Sequence, residues 1–317
     1  MLVSVVIPVY RAEDYVGKAV ESALGQPETG EVLLIEDNSP DGSLEICRGM
    51  AKRHEKVRLL RHPSGENRGA GASRNLGILN ATCEVVAFLD ADDYYVDRRF
   101  SEAAALLAAD PEVDGVYEAV GTHFENPRAR ENWLSSGREE LTTMNAKVPP
   151  RELFLRLLEG GGGWLHLDGL TVRRSVFQRS GLFFEHLRLH QDCYMFYQMA
   201  AFCRMVPGML SEPVAMRRVH DHNRISGADV LTRVLYWKTL FDWALERKLE
   251  RQTLQILFYK YIYSCFAQLK LQFISGNAAS ILRWLLPDLF NHPSLFIPAV
   301  WHYSQNRRIT VRTVYDI

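Results

Sequence analysis

The first hundred residues alternate short apolar runs with amphipathic segments, and this alternation constrains the fold more than any other feature. The apolar runs, rich in Val, Leu and Ile, are residues 2–9, 32–35, 57–60 and 85–89. Apolar side chains recur at helical spacing over residues 15–24, 43–54 and 70–79. Strands of a parallel sheet covered on both faces read as continuous apolar runs, and helices form the crossovers between them. The pattern predicts an α/β fold with a mostly parallel central sheet and flanking helices.

The remaining chain is patterned differently. Residues 126–147 are polar and rich in Arg and Glu, which predicts a loop, and the glycine run 160–163 predicts a hinge. Towards the C-terminus apolar residues return at helical spacing. We therefore expect two domains, over residues 1–227 and 228–317, the second of them helical. We also expect Glu13 and Asp14 in the first turn of the first helix, where the helix dipole favours acids.

Composition excludes several classes of protein. The 37 Lys and Arg against 38 Asp and Glu give a net charge of -1, whereas nucleic-acid-binding proteins are usually basic. Five cysteines without a Cys-x-x-Cys pair argue against a disulfide framework or a structural zinc site and favour a reducing compartment. The first apolar run is broken by Pro8, unlike a signal peptide. No apolar stretch reaches the roughly 18 residues of a membrane span. We expect a cytoplasmic protein with no nucleic-acid partner.

Polar clusters follow the predicted strands at three points. They are Pro-Val-Tyr at residues 8–10, Glu-Asp-Asn at residues 36–38 and Asp-Ala-Asp-Asp at residues 90–93. In open parallel sheets, ligands bind beyond the carboxyl ends of the strands. The three carboxylates of the last cluster repel one another unless they are solvated, protonated or neutralised by a cation. That cluster favours a divalent cation with open positions for phosphate oxygens, and a solvated acidic turn is the alternative.

Small residues precede and open the third predicted helix. Residues 67–77 read Asn-Arg-Gly-Ala-Gly-Ala-Ser-Arg-Asn-Leu-Gly. Backbone N–H groups at such a helix start, together with Arg74, can face an anion. The glycines do not follow the first strand, as a dinucleotide-binding fingerprint requires, and no Gly-Lys-Ser/Thr of a Walker loop occurs. Close packing of the helix on the sheet is the alternative interpretation.

In this order and spacing, the motifs resemble those of the inverting family 2 glycosyltransferases with the GT-A fold. The resemblance covers roughly the first 100 residues, and Ser73 stands where the family usually has Ala. It implies a Rossmann-like GT-A domain. Residues 1–100 would bind a nucleotide-sugar, and residues 101–227 would carry the acceptor side and the catalytic base.

The resemblance also implies a donor site. Asp37 would accept a hydrogen bond from the ring N–H of uracil or thymine, Asp90 would lie near the ribose or sugar, and Asp92 would hold Mn²⁺ or Mg²⁺. That ion would neutralise the charge that develops on the nucleoside diphosphate leaving group. The expected nucleotide-sugar contacts are Pro8, Val9, Tyr10, Glu13, Asp37, Asn67, Arg74, Asp90, Ala91 and Asp92.

An inverting transfer needs a base that takes the proton of the acceptor hydroxyl. The family places an acidic pair after a Gly-x-Phe-x-Glu segment, which residues 181–185 match. Asp192 then corresponds to the base, and Gln191 replaces the usual Glu. Glu185 and Asp168 are the next candidates.

Further residues match less specific features of the family. Arg218, His220 and Asn223 fit a stretch that closes over the diphosphate, with His220 and Asp90 as additional metal ligands beside Asp92. The candidate acceptor or sugar contacts are Trp164, His166, Asp168 and Gln191. A surface histidine pair and a buried core tryptophan are the alternative interpretations of the two groups.

The sequence thus predicts a metal-dependent inverting hexosyltransferase. It would move a sugar, from a UDP-sugar, to a hydroxyl of a glycan or lipid-linked acceptor in bacterial surface polysaccharide synthesis. A nucleotidyltransferase is one alternative, but it would need a Gly-rich, basic loop directly after the first strand. A non-catalytic carbohydrate-binding protein on a decayed transferase fold is another. Gln191 keeps it open, whereas the intact Asp90-Ala91-Asp92 motif and Asp192 argue against it.

The C-terminal region mixes aromatic and basic residues. They are Trp284, Phe290, Phe296, Trp301, His302, Tyr303, Arg307, Arg308 and Arg312. Amphipathic helices of this kind lie on membrane surfaces. Peripheral contact with the inner face of the cell membrane is therefore one expectation, and packing against the catalytic domain or in a homo-oligomer is the other.

Overall fold

Two units divide the chain, Met1–Asn223 and Arg224–Ile317. The computed structural model describes residues 1–220, 230–272 and 278–295. The boundary predicted near residue 227 lies outside these ranges, so the assignment of domains to residues 1–227 and 228–317 stays a prediction.

Strands and helices alternate along the first unit, as the sequence predicts. The strands are β1 (Val3–Val9), β2 (Thr29–Glu36), β3 (Val57–Arg61), β4 (Val85–Phe88), β5 (Tyr94–Tyr95), β6 (Gly115–Tyr117), β7 (Val120–Phe124), β8 (Leu141–Thr142), β9 (Leu170–Arg173), β10 (Met205–Pro207) and β11 (Ala215–Val219). The helices are α1 (Val16–Leu24), α2 (Ser43–Arg53), α3 (Ala70–Asn80), α4 (Ser101–Ala109), α5 (Pro127–Ser135), α6 (Pro150–Glu159), α7 (Val176–Ser180) and α8 (Gln191–Phe202). Every strand and helix predicted for the first hundred residues is present, which confirms the α/β fold.

The central sheet explains where a site can form. Its order among the described strands is β10-β6-β9-β4-β1-β2-β3, and only the two pairings of β9 are antiparallel. In register, Val9 of β1 faces Glu36 of β2, and Val6 of β1 faces Phe88 of β4. The carboxyl ends of three parallel strands therefore meet at one edge, where open α/β sheets bind ligands.

A second sheet extends this edge. Its order is β5-β11-β7-β8, with β11 antiparallel to β5 and parallel to β7. Because β5 directly follows the acidic cluster at residues 90–93, this pairing carries the basic residues of β11 to the same cluster.

The expectation for the start of α1 is wrong. The helix begins at Val16, so Glu13 and Asp14 precede its first turn. Glu13 Oε2 accepts a hydrogen bond from the Gly42 N–H at 2.6 Å, and the Glu13 N–H donates to Asp41 Oδ2 at 3.3 Å. Glu13 therefore ties the end of β1 to the loop after β2.

The loop predicted for residues 126–147 contains α5 and β8. Asn126 caps α5 by accepting a hydrogen bond from the Ala129 N–H at 2.8 Å, and Pro127 occupies the first turn. Trp133 of α5 is buried. The prediction was wrong because one buried aromatic side chain anchors an otherwise polar helix.

The glycine run at residues 160–163 forms a close backbone crossing in place of the predicted hinge. The Trp164 N–H donates to the Thr143 carbonyl and the Asn145 N–H to the Gly162 carbonyl, both at 2.9 Å. Gly163 has φ of +89° and lies so close to the Thr143 backbone that a side chain would collide with it. Glycine is required there for both reasons.

The second unit is helical, which confirms the predicted C-terminal helical region. Its helices are α9 (Val230–Glu246), α10 (Arg251–Gln272) and α11 (Ala278–Asn291). Phe241, Phe258 and Tyr261 pack ring against ring, and Asp288 of α11 accepts from the Tyr261 hydroxyl at 3.1 Å.

The exposed surface of α11 bears on the predicted membrane contact. Phe290 is 82% exposed and Leu286, one turn earlier, is also exposed. Most of the aromatic and basic C-terminal residues lie beyond residue 295, outside the described residues. Across residues 1–220, 230–272 and 278–295, no helix has both the length and the apolar character of a transmembrane span.

Glu31 connects several strands of the central sheet. Its carboxylate accepts hydrogen bonds from Ser4 Oγ at 2.7 Å and from the N–H and Oγ1 of Thr82 at 2.6 and 2.7 Å, and it pairs with Arg58 at 2.6 Å. Burial alone would raise the pKa of Glu31, but these hydrogen bonds lower it from 4.5 to about 2. Because the folded pKa lies below the unfolded value, the stabilisation is present above about pH 4.5 and is lost as the pH falls towards 2.

We predict that Glu31→Gln lowers the stability of the first unit by up to about 3 kcal/mol at pH 7, or about 5–10 °C in Tm. Thermal unfolding followed by circular dichroism measures this, and the difference from wild type should shrink below pH 4. Glu45→Gln, which removes the exposed pair with Arg48, should change Tm by less than about 2 °C. An equal Tm for Glu31→Gln and wild type at pH 7 would contradict this role.

Candidate active site

Asp37, in the loop after β2, forms hydrogen bonds with the loop that precedes α3. Its Oδ1 accepts from the Arg68 N–H at 2.8 Å and its Oδ2 from the Gly69 N–H at 2.7 Å, while Asn67 Nδ2 donates to its carbonyl at 2.9 Å. Asp37 is buried. The structure therefore places Asp37 and Asn67 together, with the Asp37 carboxylate holding residues 67–69, and base recognition by Asp37 stays a prediction.

The end of β1 touches the same loop. The Asp37 N–H donates to the Val9 carbonyl at 2.9 Å, and Val9 is buried between the partly exposed Pro8 and Tyr10. Arg11 and Asn38, which follow these strand ends closely, have φ of +53° and +56°. Left-handed backbone at non-glycine residues is costly and concentrates at functional sites.

Arg74 of α3 reaches the acidic cluster. Its Nη2 lies 2.5 Å from Asp90 Oδ1, and its guanidinium lies 5.5 Å from the centre of the Phe183 ring. The Arg74 side chain is buried, whereas the side chains of Asp90 and Asp92 are 35% and 34% exposed. Two carboxylates of the cluster are thus available to a ligand, and Ala91 between them is buried.

A buried acidic pair lies beneath these exposed carboxylates. Asp168 Oδ1 accepts from the Asp90 N–H at 3.1 Å, and Asp93 Oδ1 accepts from the Arg218 N–H at 2.7 Å. Burial raises the pKa of both Asp93 and Asp168, and neighbouring carboxylates raise it further, to about 7 for Asp168. Protonation of one carboxyl group, or a cation beside the pair, would relieve this repulsion. Asp168, predicted to contact a sugar, is instead fully buried.

His166 adjoins this pair. Its Nδ1 accepts from the Asp168 N–H at 3.3 Å, so the ring proton lies on Nε2. Burial, and then the charge of Arg217, lowers the pKa of His166 to about 4, against the opposing effect of Asp90 and Asp192. At neutral pH His166 is therefore an uncharged hydrogen-bond donor. Its pKa responds to the charges of both Asp90 and Asp192, the predicted base. The ligand atoms of Asp93, His166 and Asp168 lie within 4.8 Å of one another.

Asp92 and His220 form a second group that a metal ion would fit. Asp92 Oδ2 lies 3.3 Å from His220 Nε2, and this hydrogen bond raises the pKa of His220. The His220 ring stacks on Tyr15 with centres 5.0 Å apart, and Arg218 Nε donates to the Asp92 carbonyl at 2.9 Å. The partly exposed carboxylate of Asp92 and the imidazole of His220, which Tyr15 keeps in place, are ligands of the kinds that bind divalent cations.

The predicted base begins α8. Asp192 lies in the first turn, after His190, whose φ is +61°. Asp192 Oδ1 accepts from the Cys193 N–H at 2.8 Å, and Asp192 remains partly exposed. Trp164, predicted to stack on a sugar, packs edge-on against Tyr197 of the same helix, with centres 5.9 Å apart.

Gln191 points into the protein. It is buried against Gly71 at the start of α3, so closely that a side chain at position 71 would collide with its Oε1. That Oε1 has no hydrogen-bond partner among the described residues. An ionised Glu at this buried position would carry a desolvation cost that the uncharged amide of Gln191 avoids.

Hydrogen bonds join the segment before α8 to helix α3. Asn75 Nδ2 donates to the Phe183 carbonyl at 2.9 Å, and the Phe183 N–H donates to Asn75 Oδ1 at 2.8 Å. Glu185 pairs with Arg68 at 2.5 Å. Among the three candidate bases, Glu185 is therefore ion-paired and Asp168 is buried, whereas Asp192 stays accessible.

Most of the predicted residues thus fall into two groups at the sheet edge. Around Asp37 lie Pro8, Val9, Tyr10, Glu13 and Asn67; around Asp90 and Asp92 lie Arg74, His166, Asp168, Arg218 and His220. Asn223 lies outside the described residues. Sequence reasoning missed Asp93 and Arg217, although Asp93 is the third carboxylate of the acidic run and Arg217 adjoins Arg218.

Comparison with known proteins identifies the family. Residues 4–159 match the model described as Glycosyl transferase family 2. This part of the chain is similar to the members of that family. The match confirms the resemblance inferred from the motifs.

Two curated relatives illustrate the extent of the similarity. The uncharacterized glycosyltransferase YibD of Escherichia coli (strain K12) is 32% identical over 191 residues, which are 60% of this chain and 53% of YibD. The succinoglycan biosynthesis protein ExoU of Rhizobium meliloti (strain 1021) is 34% identical over 100 residues, 32% of this chain and 29% of ExoU. The chain thus spans about half the length, or less, of these relatives.

Solved structures are similar in fold. The crystal structure of S. aureus TarS 1-349 in complex with UDP-GlcNAc superimposes with a TM-score of 0.62 at 18% identity, covering 84% of this chain and 73% of TarS. The same TarS fragment in complex with UDP gives a TM-score of 0.61 at 19% identity, covering 84% and 72%. This likeness confirms the predicted GT-A architecture of central sheet and flanking helices.

Proposed function

We propose that the protein is a metal-dependent inverting glycosyltransferase that moves a sugar from a UDP-sugar to an acceptor hydroxyl. The observation that carries the proposal is the pairing of partly exposed Asp92 with His220, at the edge that also carries Asp90. A family 2 domain, with these groups at the carboxyl ends of its parallel strands, supports the same reaction class.

The proposed donor site lies around Asp37. Residues 8–10 and the loop at residues 67–69 border it, and the Asp37 carboxylate organises both sides. The TarS structures, which hold UDP and UDP-GlcNAc, support a uridine nucleotide as the donor. Each carboxylate oxygen of Asp37 has a second lone pair, which leaves an acceptor for a base N–H.

Asp92 and His220, with Asp90 nearby, are the residues that would hold a Mn²⁺ or Mg²⁺ ion. Such an ion supplies positive charge for the diphosphate that leaves as UDP. The chain's own contribution is to fix the ligands: Arg218 holds the Asp92 backbone, Tyr15 stacks on His220, and Arg74 pairs with Asp90.

Asp192 is the proposed base. Inversion by a single displacement requires the acceptor oxygen to lose its proton while it attacks the anomeric carbon. Asp192 is an accessible carboxylate at the start of α8, and His166, a neutral donor, lies within its field. His166 would orient a sugar or acceptor hydroxyl, and Asp192 would take the proton.

The proposed acceptor is a glycan or lipid-linked glycan of a bacterial surface polysaccharide. The relative ExoU, named for succinoglycan biosynthesis, supports this assignment. Contact of exposed Phe290 and Leu286 with a membrane surface would bring the enzyme to a lipid-linked acceptor and remains part of the proposal.

We predict that UDP binds at least about tenfold more tightly with Mn²⁺ than with EDTA, because an ion held by Asp92 would supply positive charge for the diphosphate. Asp92→Asn should remove most of this difference, whereas Asp97→Asn, an exposed carboxylate close by in the chain, should retain it. Isothermal titration calorimetry measures the affinities. Equal UDP affinity with Mn²⁺ and with EDTA in the wild type would exclude the metal role of Asp92.

We predict that Asp192→Asn loses about 10²- to 10⁴-fold in transfer rate, as expected for removal of a general base. UDP affinity should stay within about twofold, because no donor contact is proposed for Asp192. Transfer of radiolabelled sugar to a glycan fraction and hydrolysis of the UDP-sugar are the two readouts.

The control for this prediction is Glu185→Gln, which removes the other exposed candidate base and should change the rate by less than about threefold. Retention of transfer by Asp192→Asn together with its loss in Glu185→Gln would move the base to Glu185.

A further inference from the structure

Strand β11 carries two consecutive arginines, which point to opposite faces because side chains alternate along a strand. Arg218 is engaged on one face: it donates to the Asp92 carbonyl, lies 3.6 Å from Glu125 and covers the Tyr15 ring. Arg217 lies on the other face, where no function has yet been assigned to it.

The Arg217 guanidinium has more N–H donors than hydrogen-bond partners among the described residues. Within the described residues it makes one hydrogen bond, from Nη2 to Thr142 Oγ1 at 3.3 Å, and has no carboxylate within salt-bridge distance. Its Nε–H is buried without a partner. A guanidinium offers five N–H donors in a planar fork, and buried donors are nearly always paired. An acceptor group is therefore missing beside Arg217.

A second unpaired polar group lies next to it. Thr122 of β7 is directly opposite Arg217 in the parallel register, so both side chains lie on the same face of the sheet. Thr122 Oγ1 is buried and also lacks a partner in the described structure. Two unpaired polar groups thus lie on the same face of neighbouring strands, the face that also carries Thr142.

A second guanidinium reinforces the charge. Arg138 and Arg217 both lie over the ring of Trp133, with guanidinium carbons 4.8 and 4.3 Å from its centre. Arg138 has no ion pair within the described ranges. Burial lowers the pKa of Arg217 and the charge of Arg138 lowers it further, against the opposing effect of Asp93, Asp168 and Asp90. An anion beside Arg217 would accept a hydrogen bond from its unpaired Nε–H and reduce its repulsion with Arg138.

The position of this cluster indicates which substrate it serves. The charge of Arg217 is, after burial, the strongest influence on His166, which lies beside Asp168 and within the field of Asp192. Asp90 of the proposed donor site also acts on the charge of Arg217. We therefore place the cluster beside His166 and Asp168, on the side of the reaction centre that the proposed function assigns to the acceptor.

We propose that Arg217, Arg138 and Thr122 form an oxyanion subsite that binds a phosphate or carboxylate group carried by the acceptor. The subsite rests on the proposed function, since it presupposes an acceptor beside Asp192. It makes the enzyme selective for anionic acceptors, with the Trp133 ring as the platform that holds both guanidinium groups.

Inorganic phosphate is the probe. Calorimetric titration into the complex saturated with UDP and Mg²⁺, at constant ionic strength, should detect binding in the wild type. Arg217→Gln should weaken phosphate binding about ten- to a hundredfold, as expected for lost charge-assisted hydrogen bonds, and Arg138→Gln should weaken it less. Arg128→Gln, which removes an exposed charge from α5, should bind phosphate like the wild type. UDP affinity should be unchanged in all three variants.

Three results would overturn the proposal. One is equal phosphate affinity in wild type, Arg217→Gln and Arg138→Gln. Circular dichroism checks that each variant is folded. If Arg217→Gln unfolds, the comparison of Arg138→Gln with wild type still tests the proposal, because Arg138 is only half-buried. Another is competition between phosphate and UDP, which would assign Arg217 to the donor diphosphate. The third is an Arg217→Gln variant that binds UDP-glucose like the wild type but no longer binds UDP-glucuronic acid. That result would show that Arg217 binds an anionic group of the donor sugar.

The proposed function is tested separately. Failure of wild-type protein to bind UDP would count against the transferase. Titration of phosphate into the protein alone would then still decide whether the oxyanion subsite exists, by the same comparison of Arg217→Gln with Arg128→Gln.

Discussion

The hydrogen bond from the Asp90 N–H to the buried carboxylate of Asp168 joins the two segments that form the proposed reaction centre. It joins the end of β4 to the turn before β9, where Arg99 Nε also donates to the Asp168 carbonyl at 2.8 Å. Arg99 is itself buried in an ion pair with Glu118 at 2.9 Å. These bonds fix the backbone that presents Asp90 and Asp92, while Asp168 Oδ2 is buried without a hydrogen-bond partner among the described residues.

Asp37 has the same role at the proposed donor site. It holds the loop at residues 67–69, and Arg68 of that loop pairs with Glu185, which precedes the helix of Asp192. In both places a buried carboxylate holds a partly exposed segment, so the residues proposed to bind the substrates lie on loops fixed by hydrogen bonds.

The sequence allowed the fold and the two acidic strand ends to be predicted, because apolar runs and turn-forming residues are local signals. Burial of Asp37 and Asp168 is not a local property: Asp168 reaches Asp90 across 78 residues of chain. Helix α5 was missed because a single buried residue, Trp133, fixes a polar segment. Arg218 was assigned to the site and Arg217 was not, because only the register of β11 with β7 reveals which face each one occupies.

The stereochemistry of the reaction tests the central claim most directly. With Mn²⁺ and an α-linked donor such as UDP-GlcNAc, slow hydrolysis in the absence of acceptor can be followed by ¹H NMR of the anomeric proton. A single displacement assisted by Asp192 predicts that the β-anomer appears first and mutarotates later. First appearance of the α-anomer would contradict an inverting transferase.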